Sequence, residues 1–140
     1  MTFIIGRSVK FVGTAAVEID EMRLDKVVVR LKNHRKVQNH IGGIHAAATA
    51  LLGETASGLV TGMNVADDCV PLLKSMKIDY TKVASGDLVA EASLTGSQQQ
   101  QIYEDKKGEI TIEVIVTDSK GNHPVNSHFT WAWVPKKKSA

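Results

Sequence analysis

One cysteine, Cys69, stands in a chain of 140 residues. An internal disulfide is therefore excluded, and a reducing cytoplasm is the expected setting. Aromatic residues make up only 5% of the chain. No basic stripe is interleaved with them, so the usual signature of nucleic-acid binding is missing. Long apolar runs are missing too, because the longest weakly charged stretch is broken by Gly, Asn and Gln, which argues against a membrane span. The short apolar Phe3-Ile4-Ile5 is followed by no long apolar core or cleavage pattern, so no leader is expected. Neither sign of charge dominates: the net charge is +2, and much of that excess sits in Lys136, Lys137 and Lys138. With no internal repeat and no linker rich in Pro, Gly and Ser, one domain over 1–140 is expected, ending in a basic tail at 135–140.

What is present is ordinary in bulk and specific in pattern. Apolar residues are 43% and charged residues 23%, as in a typical globular protein. Val17 and Ile19 alternate with Glu18 and Asp20, and Val27, Val29 and Leu31 alternate with Val28, Arg30 and Lys32. Period two with one polar face predicts half-buried strands. The run from Ile44 to about Met63 is rich in Ala and Leu and too long for a strand, so it predicts a helix. Four further strands follow, around Met76–Tyr80, Leu88–Leu94, Ile110–Val116 and Phe129–Trp133, the last two joined by a turn at Asp118-Ser119-Lys120-Gly121. The glutamine tract Gln98–Gln101 reads as a strand end or connection. The order is two strands, one long helix and a four-strand meander, an α+β class.

From Val37 to Ala66, thirty residues, the only formal charge is Glu54. A surface helix would carry a charged stripe, so this one should be buried on most sides, inside a wrapped sheet and against a partner protomer. Gly53, Gly58 and Gly62 each cost about 1 kcal/mol relative to Ala in a helix, which is tolerable where something must approach closely. Glu54 has two readings: a carboxylate paired with an Arg or a cavity water, or a desolvated base or nucleophile. Ala50, Leu51, Ser57 and Gly58, its neighbours at helical spacing, offer no cation.

Asn39-His40-Ile41-Gly42-Gly43-Ile44-His45 leads into that helix. Free amides at a helix start suit an oxygen that gains negative charge, and the glycines permit a tight turn. Taken singly, Asn39 is equally a turn or capping residue and His45 a satisfied first-turn histidine. As a metal site the segment is poor, because His40 and His45 are five apart and no Cys is near. If His45 and Glu54 are both helical, they lie about 13.5 Å apart along the axis and roughly 180° around it. One protomer cannot bring them to one atom. A two-fold contact of antiparallel helices can.

These residues resemble the hotdog-fold acyl-CoA thioesterases, in particular the phenylacetate-degradation and 4-hydroxybenzoyl-CoA branches and a related uncharacterised branch. Asn39, His45 and Glu54 stand at the family's intervals, and the strand order and Lys77–Asp87 are similar as well. The resemblance implies an antiparallel sheet of five to six strands around one central helix, assembled as a homodimer or as a tetramer of two dimers. It implies Glu54 as general base or nucleophile, and the Ala46 amide as the donor to the thioester carbonyl. Asn39 would orient the water or carboxylate, and His45 would support the loop and the carbonyl. Gly43, Ala47, Ser57, Gly58 and Lys82 are the expected substrate contacts. The resemblance also implies an acyl-CoA or acyl-carrier-protein thioester as the substrate, and no cofactor, metal, nucleic acid or membrane is expected. Two departures stand out: the family's His-Gly-Gly is His45-Ala46-Ala47, and Gly58 stands where some members carry Thr or Ser. A binding module that holds an acyl group without turnover is the competing expectation. Dehydratase chemistry on a 3-hydroxyacyl thioester is a third and weaker one.

Overall fold

The computed structural model describes residues 10–137. Phe3-Ile4-Ile5 and the end of the basic tail, from Lys138, lie outside them. A short helix α1 (Lys10–Ala15) precedes strands β1 (Glu18–Arg23) and β2 (Lys26–Leu31). The long helix α2 (Ala46–Gly62) follows, then β3 (Cys69–Tyr80), β4 (Leu88–Ser93), helix α3 (Gly96–Glu104), β5 (Gly108–Thr117) and β6 (Val125–Pro135). All six strands form one antiparallel sheet in the order β1-β2-β4-β5-β6-β3, with α2 packed on its inner face. This is the expected α+β hotdog arrangement, with six strands.

Period two builds the core as the patterning requires. Val27, Val29 and Leu31 of β2, Ala90 and Ala92 of β4, Ile112 and Val114 of β5, and Phe129 and Trp133 of β6 are all buried on the helix side. The small β4 residues let α2 come close. The glycines of α2 serve aromatic side chains: a Cβ on Gly53 would lie 2.5 Å from the Phe129 ring, and one on Gly58 would lie 2.7 Å from the Trp131 ring.

Three expectations are corrected. The last four strands are not a meander, because β3 leaves β4 and pairs with β6 at the far edge, while β4 pairs with β2. The glutamine tract is helical. Thr95 and Gln98 form a reciprocal capping box, each side chain bonding the other's amide at 3.1 and 2.8 Å, and Ile102 anchors the helix in the core. The basic tail starts inside the sheet: Pro135 is paired with Cys69, and the Lys136 amide donates to the Asp68 carbonyl at 2.8 Å. Among the described residues, no helix is long and apolar enough to cross a membrane.

Candidate active site

The segment before α2 is a tight hairpin. Gln38 bridges to Ile44, the Asn39 amide donates to the Gly43 carbonyl at 2.8 Å, and the His45 amide donates to Val37 at 2.7 Å. Asn39 Oδ1 accepts from the amides of Ile41 and Gly43, both at 3.0 Å, and Gly42 takes the left-handed φ of +80° that the turn needs. The turn-residue reading of Asn39 is therefore correct for its oxygen. Among the described residues its Nδ2 donates to nothing, and Asn39 lines a cavity of about 260 Å³.

His45 is the N-cap of α2 rather than a residue of its first turn, because its Nδ1 accepts from the Ala47 amide at 2.9 Å. The helix thus begins two residues later than the sequence run suggested. An accepting Nδ1 leaves the ring proton on Nε2. This cap uses the Ala47 amide. Among the described residues the neighbouring amide, that of exposed Ala46, has no acceptor. Ala46 lines the same cavity as Asn39, Gly43 and Lys82. Tyr80, which sequence reasoning did not single out, joins them. Its hydroxyl donates to the Ala46 carbonyl at 2.7 Å, and burial pushes its pKa up so that it stays a donor.

Glu54 lies elsewhere. It is half-buried in the middle of α2 and lines a second, largely apolar cavity of about 220 Å³ with Val12, Leu51, Leu59, Pro71 and Trp131. Leu51, Glu54, Thr55 and Gly58 share one helix face by their three- and four-residue spacing. Among the described residues no cation or hydrogen-bond donor meets the carboxylate, and burial raises its pKa above the ordinary glutamate value. The reading in which an Arg compensates it therefore fails among the described residues.

Of the other expected contacts, Gly58 lines the Glu54 cavity, and His45 and Ala47 line a third depression beside Lys36. Ser57 points the other way. It is fully buried, its hydroxyl donates to the Gly53 carbonyl at 2.8 Å, and it accepts from Trp131 Nε1 at 2.8 Å. Trp131 also accounts for the departure at Gly58, since its ring occupies the space that a Thr or Ser side chain would need. One protomer thus holds the acid in one cavity and the amide-rich helix start in another. Among the described residues no three metal-binding side chains converge.

No curated protein matches the chain in sequence. Its fold is shared with a protein of unknown function from Pseudomonas aeruginosa described as a probable thioesterase. That protein is 21% identical with a TM-score of 0.85, over 96% of this chain and 93% of the other. A thioesterase from Staphylococcus aureus is 22% identical, with a TM-score of 0.77 over 90% and 99% of the two chains. That protein has been solved with a glutamine replaced by alanine and with a glutamate replaced by alanine. A thioesterase from Haemophilus influenzae is 13% identical, with a TM-score of 0.76 over 96% and 91%. The family model that matches, over residues 1–134, is described as a domain of unknown function, DUF4442, which is consistent with the uncharacterised branch of the resemblance. The chain belongs to the DUF4442 family, and its fold is that of the hotdog domains.

Proposed function

We propose that this protein hydrolyses an acyl-CoA or acyl-carrier-protein thioester at two equivalent sites on the seam of a homodimer. The observation that carries this reading is Glu54: a desolvated carboxylate with no counter-ion among the described residues, lining a largely apolar cavity. Two residues replaced in the Staphylococcus aureus thioesterase, a glutamine and a glutamate, lie fifteen positions apart, which is the interval between Asn39 and Glu54.

The dimer is supported by β3. It is one of the sheet's two edge strands, opposite β1, twelve residues long, with a bulge between Leu73 and Ser75. Met76 and Tyr80 sit on its helix side opposite Phe129 and Val125, yet they stay 45% and 50% exposed, and Leu72 on the other side is 52% exposed. A long open edge flanked by apolar side chains is a surface for pairing. Pro71 at one end of β3 lines the Glu54 cavity, and Tyr80 at the other end lines the Ala46 cavity. An antiparallel two-fold pairing centred near Lys74 and Ser75 exchanges those ends, so each Glu54 cavity meets the helix start of the partner.

In such a site the Glu54 carboxylate takes a proton from water as the water oxygen attacks the thioester carbon. The carbonyl oxygen, now negative, is held by the amide of Ala46 of the partner subunit. The C–S bond then breaks, and the proton passes from Glu54 to the leaving sulfur. Direct attack by Glu54 to give an anhydride, later hydrolysed, uses the same geometry. General-base help is typically worth about 10² to 10⁴-fold and one oxyanion donor about 10² to 10³-fold. Glu54→Gln and Glu54→Ala are expected to abolish thiol release from acyl-CoAs while the dimer persists by light scattering. Full activity in both variants would remove the mechanism. Acyl binding without turnover is the second reading, favoured by Gly58, which puts no hydroxyl beside the acid. Saturable binding without thiol release in the unmodified protein would select it.

A further inference from the structure

Two connections distant in the chain are clasped together at the wall of the Ala46 cavity. The first, 81–87, runs from β3 to β4, and the second, 118–124, turns from β5 into β6. At one end the Pro124 carbonyl accepts the amides of Thr81 and Lys82 at 2.9 and 3.2 Å. At the other the Asp118 carboxylate, 7% exposed, divides its two oxygens. Oδ1 accepts the amides of Lys120 and Asn122, both at 3.0 Å, and so closes its own turn. Oδ2 reaches across to the Ser85 amide, also at 3.0 Å. The Ser119 amide and hydroxyl in turn donate to the Ser85 carbonyl at 2.9 and 2.7 Å. Gly86 packs so closely that a Cβ there would stand 2.5 Å from Ser119 Oγ. Between the two clasps remain Val83 and Ala84, whose amides have no acceptor among the described residues. Lys82, Val83 and Ala84 line the Ala46 cavity on one side, and exposed Ile41 lines it from the hairpin. A loop tip is ordinarily the most mobile part of a connection. This one is held on both sides while it presents a valine that is 83% exposed.

We propose, resting on the thioester reading above, that Asp118 is a positioning residue. It fixes Lys82, Val83 and Ala84 as a preformed wall against which the bound thioester lies. Ordering a loop at the moment of binding weakens affinity, and holding it beforehand removes that cost. Asp118 itself touches no substrate and acts through Ser85. A carboxylate is needed there because three amides converge on two oxygens. Asparagine offers one oxygen, and its Nδ2 is a donor. With that oxygen kept on Lys120 and Asn122, Nδ2 faces the Ser85 N–H, donor against donor. The turn then survives and the clasp opens.

The test compares unmodified protein with Asp118→Asn, Val83→Ser and, as a control for lost stability, Thr95→Ala, which removes the cap of α3. Thiol release from butanoyl-, palmitoyl- and benzoyl-CoA gives kcat and KM. Calorimetry in a Glu54→Gln background gives Kd, and amide exchange follows Ser85. Asp118→Asn should expose the Ser85 amide to exchange and raise KM and Kd by about tenfold. Its kcat should stay within about twofold, because the binding lost is common to ground and transition states. Val83→Ser, which reads the wall even if Asp118→Asn does not fold, should raise KM and Kd by about threefold or more with Tm unchanged. Thr95→Ala should lower Tm and leave KM and Kd as they were. A Ser85 amide still protected in Asp118→Asn overturns the clasp, and an equal rise of KM in Thr95→Ala overturns the positioning role. Unchanged KM and Kd in Asp118→Asn or Val83→Ser overturn the wall and leave the role of Glu54 standing. A Val83→Ser protein that becomes monomeric by light scattering also overturns it, because the side chain then holds the partner protomer. Shifted Kd with no thiol release in any protein overturns the hydrolase reading and supports the wall. No binding of any of the three acyl-CoAs overturns both.

Discussion

The hydroxyl of Tyr80, the last residue of β3, donates to the carbonyl of Ala46, the first residue of α2, at 2.7 Å. One hydrogen bond thus couples the open edge of the sheet to the amide proposed to receive the thioester oxygen. Tyr80→Phe removes it at a net cost of about 0.5–1.5 kcal/mol. The expected outcome is a small drop in Tm and a larger drop in kcat, about tenfold, because a displaced donor costs more in the transition state than in the fold. Loss of kcat no greater than the loss of stability would separate Tyr80 from the site.

Glu54 gives a pH signature of definite sign. Its pKa in the folded protein is raised by burial, so ionising it costs more in the folded chain than in the unfolded one. Its contribution to stability is fully present below the unfolded glutamate pKa and is lost as pH rises through the raised folded value. Glu54→Gln should therefore melt higher than the unmodified protein at pH 8, and the gap should close as the solution is taken below about pH 4, near the ordinary glutamate value. In the unmodified protein kcat should fall on the acid side with an apparent pKa above that of an exposed glutamate. Thermal melts across pH, set beside a kcat profile, check both. A Glu54→Gln protein less stable at pH 8 would mean that a cation compensates the carboxylate.

The glycines of α2 make a counterintuitive prediction. Alanine at 53 gains helix propensity of about 1 kcal/mol, yet its Cβ would stand 2.5 Å from the ring of fully buried Phe129. Overpacking of this kind costs about 1–3 kcal/mol. Gly53→Ala should be net destabilising in urea melts, whereas Gly62→Ala, whose Cβ would meet only Pro71 at 3.8 Å, should be neutral or stabilising. Equal effects at the two positions would refute the close-approach account.

Much of this could be read in the amino-acid sequence where the signal is periodic. β2, β5 and β6 bury the alternate residues that the pattern marks, and α2 lies within two residues of its apolar run. Glu54 stood out because no other formal charge occupies its thirty-residue neighbourhood. Sheet order is not legible in the sequence, because alternation gives a strand's faces but not its neighbours, and a meander would set β3 beside β4 where the fold has it at an edge. α3 had a signal, the Thr95 and Gln98 capping pair, which its run of glutamines obscured. Ser57 looked like a site hydroxyl because nothing local shows that Trp131, 74 residues on, holds it inside. Tyr80 and Ala46, 34 residues apart, likewise meet only through the fold.

The central claim is that Glu54 and the Ala46 amide act on one substrate from different chains. Ala46→Pro deletes that amide at a position where proline suits a helix start, and His45 already has the extended ψ of 143° that precedes proline comfortably. Glu54→Gln and Ala46→Pro proteins, each inactive or nearly so, are to be co-expressed and the mixed dimers purified by two tags. Each mixed dimer would contain one site with both groups intact, so about half of the wild-type activity should return. Mixed dimers no more active than either parent variant would contradict the account.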